Sequence, residues 1–311
     1  MNDRIKWCCI LLALLLVFFL SLGAGQQWIN PFHASGQDGF ILWQLRLPRL
    51  LIAFAVGGML ALAGAWFQVL LGNPLAEPYV LGVAGSASVG AVAGLIIMPE
   101  SAWMMSAGAF VGAWIGISIV MAFSHLGAGR MLLAGVVLAA FWSALLALLL
   151  ALLPKNSLGL AFAWMMGDLS HSDIPIALLS LAWIVALGCG LVLSRSLDAL
   201  LLGERHAEAL GVDVKPLRQR LLLLASAVTA IAVTAAGTIG FVGLVIPHLM
   251  RMLFGSLHRA VLPASAIGGG LLLMLADTAA RTVLAPSELP VGVLTAMIGV
   301  PVFLFLLLRR S

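Results

Sequence analysis

Ser196–Arg220, SLDALLLGERHAEALGVDVKPLRQR, is the longest polar stretch in a chain that is 63% hydrophobic. It holds eight charged residues, whereas the whole chain of 311 residues has only 16 Lys and Arg and 12 Asp and Glu. Within it, Leu202–Gly211 has the pattern of a short amphipathic helix, because Ala207 and Leu210 fall on one face and Gly211 is typical of a helix C-terminus. We predict that this helix faces the cytoplasm and meets a soluble partner; an ordinary solvated loop is the alternative.

The rest of the chain has the composition of a membrane protein. Its mean hydropathy is +1.15 and 9% of its residues are charged, whereas a soluble surface needs roughly a quarter of charged residues. A helix needs about 20 apolar residues to cross a hydrocarbon core of about 30 Å. The sequence therefore predicts an all-α, polytopic membrane protein, with one transmembrane domain over residues 1–311 and Ser196–Arg220 as its cytoplasmic segment.

Nine apolar stretches have the length of a membrane span. They are Trp7–Leu22, Leu50–Leu71, Tyr79–Met98, Ala102–Phe123, Met131–Leu153, Ile176–Leu193, Leu221–Ala236, Ala260–Ala276 and Val291–Leu308. A tenth, Ile239–Leu253, is shorter and is interrupted by Gly243 and Pro247, which predicts a half-helix buried among its neighbours. We therefore expect about ten transmembrane helices with a short, broken eighth. Small residues at helical spacing (Gly90, Gly94, Gly108, Gly112 and Gly116) predict close helix packing.

The distribution of basic residues decides between nine and ten spans. With ten spans and both termini inside, twelve basic residues are cytoplasmic: Arg4, Lys6, Arg130, Arg195, Arg205, Lys215, Arg218, Arg220, Arg251, Arg259, Arg309 and Arg310. Four are outside: Arg46, Arg49, Lys155 and Arg281. This bias follows the positive-inside rule. With nine spans the basic C-terminus would face outward, so the charges favour ten.

Motifs of enzyme chemistry are absent from the sequence, which has no Walker A, HExxH or Gly-x-Ser-x-Gly pattern. Cys8, Cys9 and Cys189 have no His or Cys at ligand spacing, so the sequence indicates neither a metal site nor a disulfide. We expect no catalytic residue, no metal, no cofactor and no nucleic-acid partner. A membrane-embedded enzyme is therefore disfavoured.

Ionisable residues do not occur near the middle of the predicted spans. Asp277 and Arg281 lie at the outer end of the ninth span, and Glu288 lies just beyond it. Ion-coupled transporters usually carry such groups at mid-depth to bind the coupling ion. An ion-coupled secondary transporter or channel is therefore the weaker alternative, and the energy for transport must come from a partner.

A series of motifs in order supports a specific kind of transporter. They are Gln44-Leu45-Arg46-Leu47-Pro48-Arg49, Asn73-Pro74-Leu75-Ala76-Glu77-Pro78, Trp164-Met165-Met166-Gly167, Leu202-Gly203-Glu204 with Ala207 and Leu210-Gly211, Gly240-Phe241-Val242-Gly243-Leu244-Val245-Ile246-Pro247-His248 with Arg251, Ala276-Asp277 with Arg281, and Glu288-Leu289-Pro290-Val291-Gly292-Val293. Through these motifs the chain resembles, from about Trp43 to Phe305, the FecCD family, the permease subunits of ABC importers for iron-siderophores, haem and vitamin B12.

The resemblance implies a type II ABC importer permease in the bacterial inner membrane, in contact with membrane lipid. Such permeases have ten helices per subunit and form a homodimer that binds two cytoplasmic ATPase subunits and a periplasmic substrate-binding protein. ATP hydrolysis belongs to the ATPase, so the permease itself is not an enzyme. Leu42-Trp43-Gln44 and Glu288-Leu289-Pro290 look closest to the vitamin B12 permeases; a ferric siderophore or haem is the alternative cargo. Asp168 and the stretch Gly255–Arg259 depart from the usual family pattern.

The same resemblance implies three groups of functional residues. The cytoplasmic helix would contact the ATPase through Leu202, Gly203, Glu204, Ala207, Leu210 and Gly211. Two cytoplasmic loops, Gly72–Pro78 and Ser124–Arg130, would form a gate that includes Gly72, Asn73, Ser124, Gly127 and Gly129; static linkers are the alternative. The outer arginines Arg46, Arg49 and Arg281 would dock the binding protein by pairing with its carboxylates. For these arginines, interfacial anchoring or an internal pair of Arg281 with Asp277 is the alternative.

Overall fold

The structure, a computed structural model, describes residues 3–123, 128–170, 172 and 174–308. Its α-helices are α1 (Asp3–Gly23), α2 (Gly36–Phe40), α3 (Leu47–Leu70), α4 (Val83–Ile97), α5 (Ala102–Ala122), α6 (Ala128–Leu152), α7 (Leu158–Met165), α8 (Ile176–Leu201), α9 (Glu204–Ala209), α10 (Val214–Ala236), α11 (Val242–Phe254), α12 (His258–Thr282) and α13 (Val291–Leu308). A π-helical stretch, Ile41–Arg46, joins α2 to α3, and 3-10 turns cover Pro78–Leu81 and Lys155–Ser157.

Every apolar stretch predicted from the sequence contains a helix. Within the described residues, seven helices are long and apolar enough to cross a membrane: α1, the continuous helix Gly36–Leu70, α5, α6, α8, α10 and α12. The shorter apolar helices are α4, α11 and α13. The predicted all-helical, polytopic class of fold is thus confirmed for the described part of the chain.

Helix α3 lies at the centre of the bundle, where it packs against α8, α10, α11 and α12. Nearly all of its side chains after Leu51 are buried. Small residues allow its backbone to touch its neighbours: a β-carbon at Gly57 would lie 2.2 Å from the carbonyl oxygen of Gly269 in α12. Because van der Waals contact replaces the hydrophobic effect inside a bilayer, such close approach is a main source of helix association there.

The predicted glycine stripe packs α4 against α5. A β-carbon at Gly90 would lie 2.0 Å from the carbonyl oxygen of Gly108, and one at Gly108 would lie 2.2 Å from the carbonyl oxygen of Gly90. Neither helix could approach this closely with a larger residue at these positions. The prediction that these glycines serve helix packing is confirmed.

The ends of three helices meet where α10 stops. The N–H groups of Val291 and Gly292, at the start of α13, donate to the carbonyls of Gly167 (3.2 Å) and Met166 (3.0 Å) beyond α7. The N–H of Asp168 donates to the carbonyl of Ala236, the last residue of α10, at 3.0 Å. Residues 237–241 then continue without helical structure, so α11 begins at Val242 and not at the predicted Ile239.

Candidate functional site

The polar stretch Ser196–Arg220 folds as the end of α8, the short helix α9 and the start of α10. The N–H of Gly211 donates to the carbonyl of Glu208 (2.9 Å), and the N–H of Val212 donates to the carbonyl of Ala207 (3.0 Å). These two bonds, with the φ of Gly211 at +81°, are a Schellman motif, which requires a residue that tolerates a left-handed backbone. The predicted helix and its stop at Gly211 are confirmed.

The side chains of this segment divide into an inner and an outer set. Ala207 is 0% exposed and belongs to the core, whereas Leu202 is 64% and Leu210 65% exposed. The prediction that Ala207 and Leu210 share one face is wrong, because Ala207 faces the core whereas Leu210, the C-cap residue of α9, faces outward. Arg218 in α10 pairs with Glu204 at 2.5 Å and so ties α9 to the main bundle. Ala207 anchors α9, and the two leucines remain at its surface.

The predicted gate residues lie in different local structures. Gly72 has a φ of +58° just after α3, and the side-chain oxygen of Asn73 accepts the N–H of Leu75 at 2.9 Å. The first half of the predicted loop Gly72–Pro78 is thus an ordered turn. Gly129 lies in the first turn of α6 and is helical, not part of a loop. Ser124 and Gly127 lie outside the described residues.

Arg46 is buried, and its guanidinium group binds backbone carbonyls. One terminal nitrogen, Nη1, lies 3.1 Å from the carbonyl oxygen of Leu22 and 2.6 Å from that of Gly23. The other, Nη2, lies 3.0 Å from the carbonyl oxygen of Gln27. The last carbonyls of a helix have no partner within it and carry the negative end of its dipole. Arg46 therefore caps the C-terminus of α1.

Arg49 and Arg281 share a buried carboxylate. Asp277, which is 0% exposed, accepts the Nε of Arg49 at 2.8 Å and the Nε of Arg281 at 3.0 Å. Arg49 also binds Glu288 at 2.8 Å. The internal pair of Arg281 with Asp277, which the sequence left as an alternative, is confirmed. The docking role of the three arginines stays a prediction.

A cavity of about 810 Å³ lies beside this ion-pair cluster. Its lining includes all three arginines, together with Asp38, Gln44 and Glu288. The arginines thus lie around a recess and do not project as a rim. A partner that reached them would have to insert its side chains.

Three polar side chains with no individually predicted role lie against the break before α11, although one of them, Glu77, falls in the predicted gate loop Gly72–Pro78. The hydroxyl of Tyr79 donates to the carbonyl of Ile239 (2.8 Å) and accepts its N–H (2.7 Å). The carboxyl of Glu77 accepts the N–H of Phe241. The side-chain nitrogen of Gln68 lies 3.3 Å from the carbonyl oxygen of Gly243. Gln68, a polar residue in an apolar span, and Tyr79, the single tyrosine of the chain, were the available signals.

Burial acts on the acidity of Glu77. It raises the pKa of the Glu77 carboxyl, while the hydrogen bond from the N–H of Phe241 acts in the opposite direction. The hydroxyl of Tyr79 donates and accepts at the same time, as a phenol can.

Comparison with solved structures places the fold among transporter subunits. A metal-chelate type ABC transporter solved in an inward-facing conformation matches with a TM-score of 0.91 and 31% identity, over 99% of this chain and 100% of that one. PsaBC from Streptococcus pneumoniae, solved in complex with a Fab, matches with a TM-score of 0.62 and 19% identity, over 86% of this chain and 92% of that one. The second likeness concerns the fold alone.

Relatives in sequence cover the whole chain. It is 41% identical to the vitamin B12 import system permease protein BtuC of Escherichia coli O17:K52:H18, over 100% of this chain and 97% of that protein. It is 42% identical to the protein of the same name in Vibrio vulnificus, over 96% of this chain and 93% of that one. The model of the FecCD transport family matches residues 12–309. With nearly its full length matched by the family model and its α-helical bundle matched by a solved transporter, the chain belongs to the FecCD transport family.

Proposed function

We propose that this chain is the membrane-spanning permease subunit of an ATP-driven importer whose cargo is vitamin B12. The observation that carries the proposal is the 41% identity, over the full chain, to a vitamin B12 import permease. The likeness to a metal-chelate type transporter at 31% identity supports the wider class of bulky chelates. A ferric siderophore or haem is the second candidate cargo, because apolar walls do not distinguish chelates of similar size.

The proposed assembly is a homodimer of this chain with two cytoplasmic ATPase subunits and a periplasmic binding protein. The seven long and three shorter apolar helices support ten membrane crossings. Ten crossings and the excess of basic residues on one side support cytoplasmic termini in the inner membrane. ATP hydrolysis is assigned to the separate ATPase subunit, and the permease supplies the pathway.

The proposed contact with the ATPase is the surface of α9 and its flanks. Leu202 and Leu210 are large apolar side chains exposed on a polar segment, which is typical of a protein interface. Gly203, Glu204 and Gly211 lie between or beside them, while Ala207 holds α9 to the bundle from within. The proposed gate, on the same side of the membrane, includes Gly72, Asn73, Ser124, Gly127 and Gly129.

The proposed docking site for the binding protein is the recess that Arg46, Arg49 and Arg281 line. These arginines already bind carbonyls and carboxylates within the chain. Their charges therefore act on a partner mainly as a field that favours acidic side chains at the recess. Removal of an arginine would also remove a structural contact, so docking must be measured on folded protein.

Reconstitution in lipid vesicles tests the proposed function. The permease, its ATPase and its binding protein should import radiolabelled cyanocobalamin when ATP is supplied on the ATPase side. Leu210→Glu should insert normally but lose ATPase binding and uptake, because a charge replaces an apolar contact. Met98→Glu, at a similarly exposed position on the predicted outer side, should keep the ATPase.

Two results would contradict the proposal. Import of a ferric siderophore or haem without import of cyanocobalamin would assign the second candidate cargo. Full ATPase binding by Leu210→Glu would remove α9 from the proposed contact.

A further inference from the structure

The break between α10 and α11 is held by side chains from one distant segment. Gln68, Glu77 and Tyr79 bond five backbone groups of residues 239–244: the N–H and carbonyl of Ile239, the N–H of Phe241 and the carbonyls of Gly243 and Leu244. Backbone groups buried without a partner cost several kcal/mol in a membrane (roughly 2–7 kcal/mol in apolar surroundings). Tyr79 and Glu77 therefore satisfy the break itself, and Gln68 satisfies the first turn of α11.

Gln68 compensates for a proline in α11. Pro247 has no N–H, so the carbonyl of Gly243, four residues earlier, lacks its normal helical partner. The side-chain nitrogen of Gln68 lies 3.3 Å from that carbonyl oxygen and 3.2 Å from the carbonyl oxygen of Leu244. The side-chain oxygen of Gln68 accepts a hydrogen bond from Arg251, near the end of α11. One side chain of α3 thus binds α11 on both sides of its proline.

Glu77 stabilises a strained residue at the start of α11. Phe241 has a φ of +68°, a left-handed conformation in a residue that is not glycine. Such a conformation costs about 1–3 kcal/mol and persists where its surroundings hold it. The Glu77 carboxyl accepts the N–H of Phe241. The ring of Phe241 packs against Gly299 of α13, where an added β-carbon would lie 2.7 Å from the Cγ atom of the ring. Glu77 also lies at the positive end of the α11 dipole.

The same region has close backbone contacts. A β-carbon at Gly64 of α3 would lie 2.0 Å from the carbonyl oxygen of Gly243. A β-carbon at Gly243 would lie 2.6 Å from the Cδ of Pro78. The first turn of α11 is therefore enclosed between α3 and the segment that leads to Tyr79. Because packed contacts of this kind are not continuously deformable, α11 cannot slide past that segment by small steps.

We propose that Gln68, Glu77 and Tyr79 are positioning residues that join residues 68–82 and helix α11 into one mechanical unit. The unit moves as a single body when the importer changes conformation. It contains the proposed gate residues Gly72 and Asn73, so motion of the gate is transmitted directly to α11. This inference rests on the proposed importer function, because it concerns the transport cycle.

Distances between spin labels test the joint motion. In a background without Cys8, Cys9 and Cys189, labels at the exposed positions Leu75 and Met252 report on the two halves of the unit. A label at Val192, exposed on α8, is the reference. In the reconstituted complex, the distance between 75 and 252 should be the same with and without ATP, while the distances of both to 192 change. A change between 75 and 252 as large as the other two, or no change in any of the three distances, would overturn the proposal.

Variants of Gln68, Glu77 and Tyr79 test whether their hydrogen bonds couple ATP hydrolysis to import. In Tyr79→Phe and Gln68→Leu we expect the amount of cyanocobalamin imported per ATP hydrolysed to fall about tenfold, since one buried hydrogen bond can shift an equilibrium by that factor. Glu77→Gln keeps an acceptor for the N–H of Phe241 and should restore the ratio that Glu77→Ala loses. Thr229→Val is the matched control, because Thr229 is buried and its hydroxyl donates to the carbonyl of Ala225 within its own helix, at 2.7 Å.

A merely structural role would lower the amount of folded protein and leave the ratio of import to hydrolysis unchanged. An unchanged ratio in Tyr79→Phe and Gln68→Leu would therefore contradict the proposal. If these variants do not fold, the label distances in the otherwise unaltered chain decide. Those distances need ATP and the ATPase but no cargo, whereas absence of cyanocobalamin uptake by the wild-type complex counts against the proposed cargo alone.

Discussion

At the scale of single residues, Arg46, Arg49 and Arg281, which are predicted to lie on the outer side, each bind more than one group of the chain. The sequence marked them as candidate docking residues because they are predicted to be outside, whereas most basic residues are predicted to be cytoplasmic. Most of the groups that they bind are far away in the sequence. Arg49 meets Asp277 across 228 positions, and Arg46 meets Gly23 across 23. No local pattern encodes contacts of that separation. Only the pair of Arg281 with Asp277, four residues apart on one helix, could be anticipated.

Asp277 is the residue on which this cluster depends. Asp277→Asn removes the charge that two buried arginines share, and we expect a loss of about 3–5 kcal/mol in the free energy of unfolding, as for other broken buried pairs. Glu288→Gln is the comparison, because Glu288 is 48% exposed and binds only Arg49 among these residues. It should cost at most about 1 kcal/mol. Thermal unfolding of purified protein in detergent measures both, and equal losses would contradict this assignment.

At the scale of elements, local signals predicted α9 well and α11 in part. Gly211 ends α9 where the sequence expected it, because a helix stop depends on neighbouring residues. Gly243 and Pro247 predicted a short, interrupted helix; both residues lie in α11, which is short but runs without a gap from Val242 to Phe254. The non-helical residues 237–241 could not be predicted, since their conformation depends on Tyr79 and Glu77, which are about 160 positions away. Distant side chains, and not local propensity, decide where α11 begins.

The relation between Gln68 and Pro247 can be measured as a coupling energy. Pro247→Ala restores the N–H that the carbonyl of Gly243 lacks, so Gln68→Leu should cost less in that background, by about 0.5–1.5 kcal/mol. Pro263→Ala, a proline inside α12, is the matched control and should be additive with Gln68→Leu. Unfolding of the single and double variants gives the values. Additivity in both pairs would mean that Gln68 does not compensate for Pro247.

At the scale of the whole molecule, the number of crossings depends on α11. If this short helix crosses with α10, Leu210 before α10 and Leu257 after α11 lie on the same side of the membrane; if it does not, they lie on opposite sides. Both residues are exposed. In a background without native cysteines, Leu210→Cys and Leu257→Cys should react with an impermeant maleimide only in inside-out vesicles, and Met98→Cys only in right-side-out vesicles. Reaction of Leu257→Cys from the outer side would reduce the count to nine.

The capping of α1 by arginines has a consequence for how the protein is made. The carbonyl of Ser21 is bonded by Arg281, a residue synthesised 260 positions later, and those of Leu22 and Gly23 by Arg46. While the chain is still being translated, the first helix enters the bilayer with part of its final anchorage missing. Nascent chains that stop before α12 therefore lack the hydrogen bonds from Arg281 to the C-terminal end of α1. In such chains α1 is packed less firmly and is a better substrate for membrane proteases. Completion of α12, which carries Arg281, secures α1.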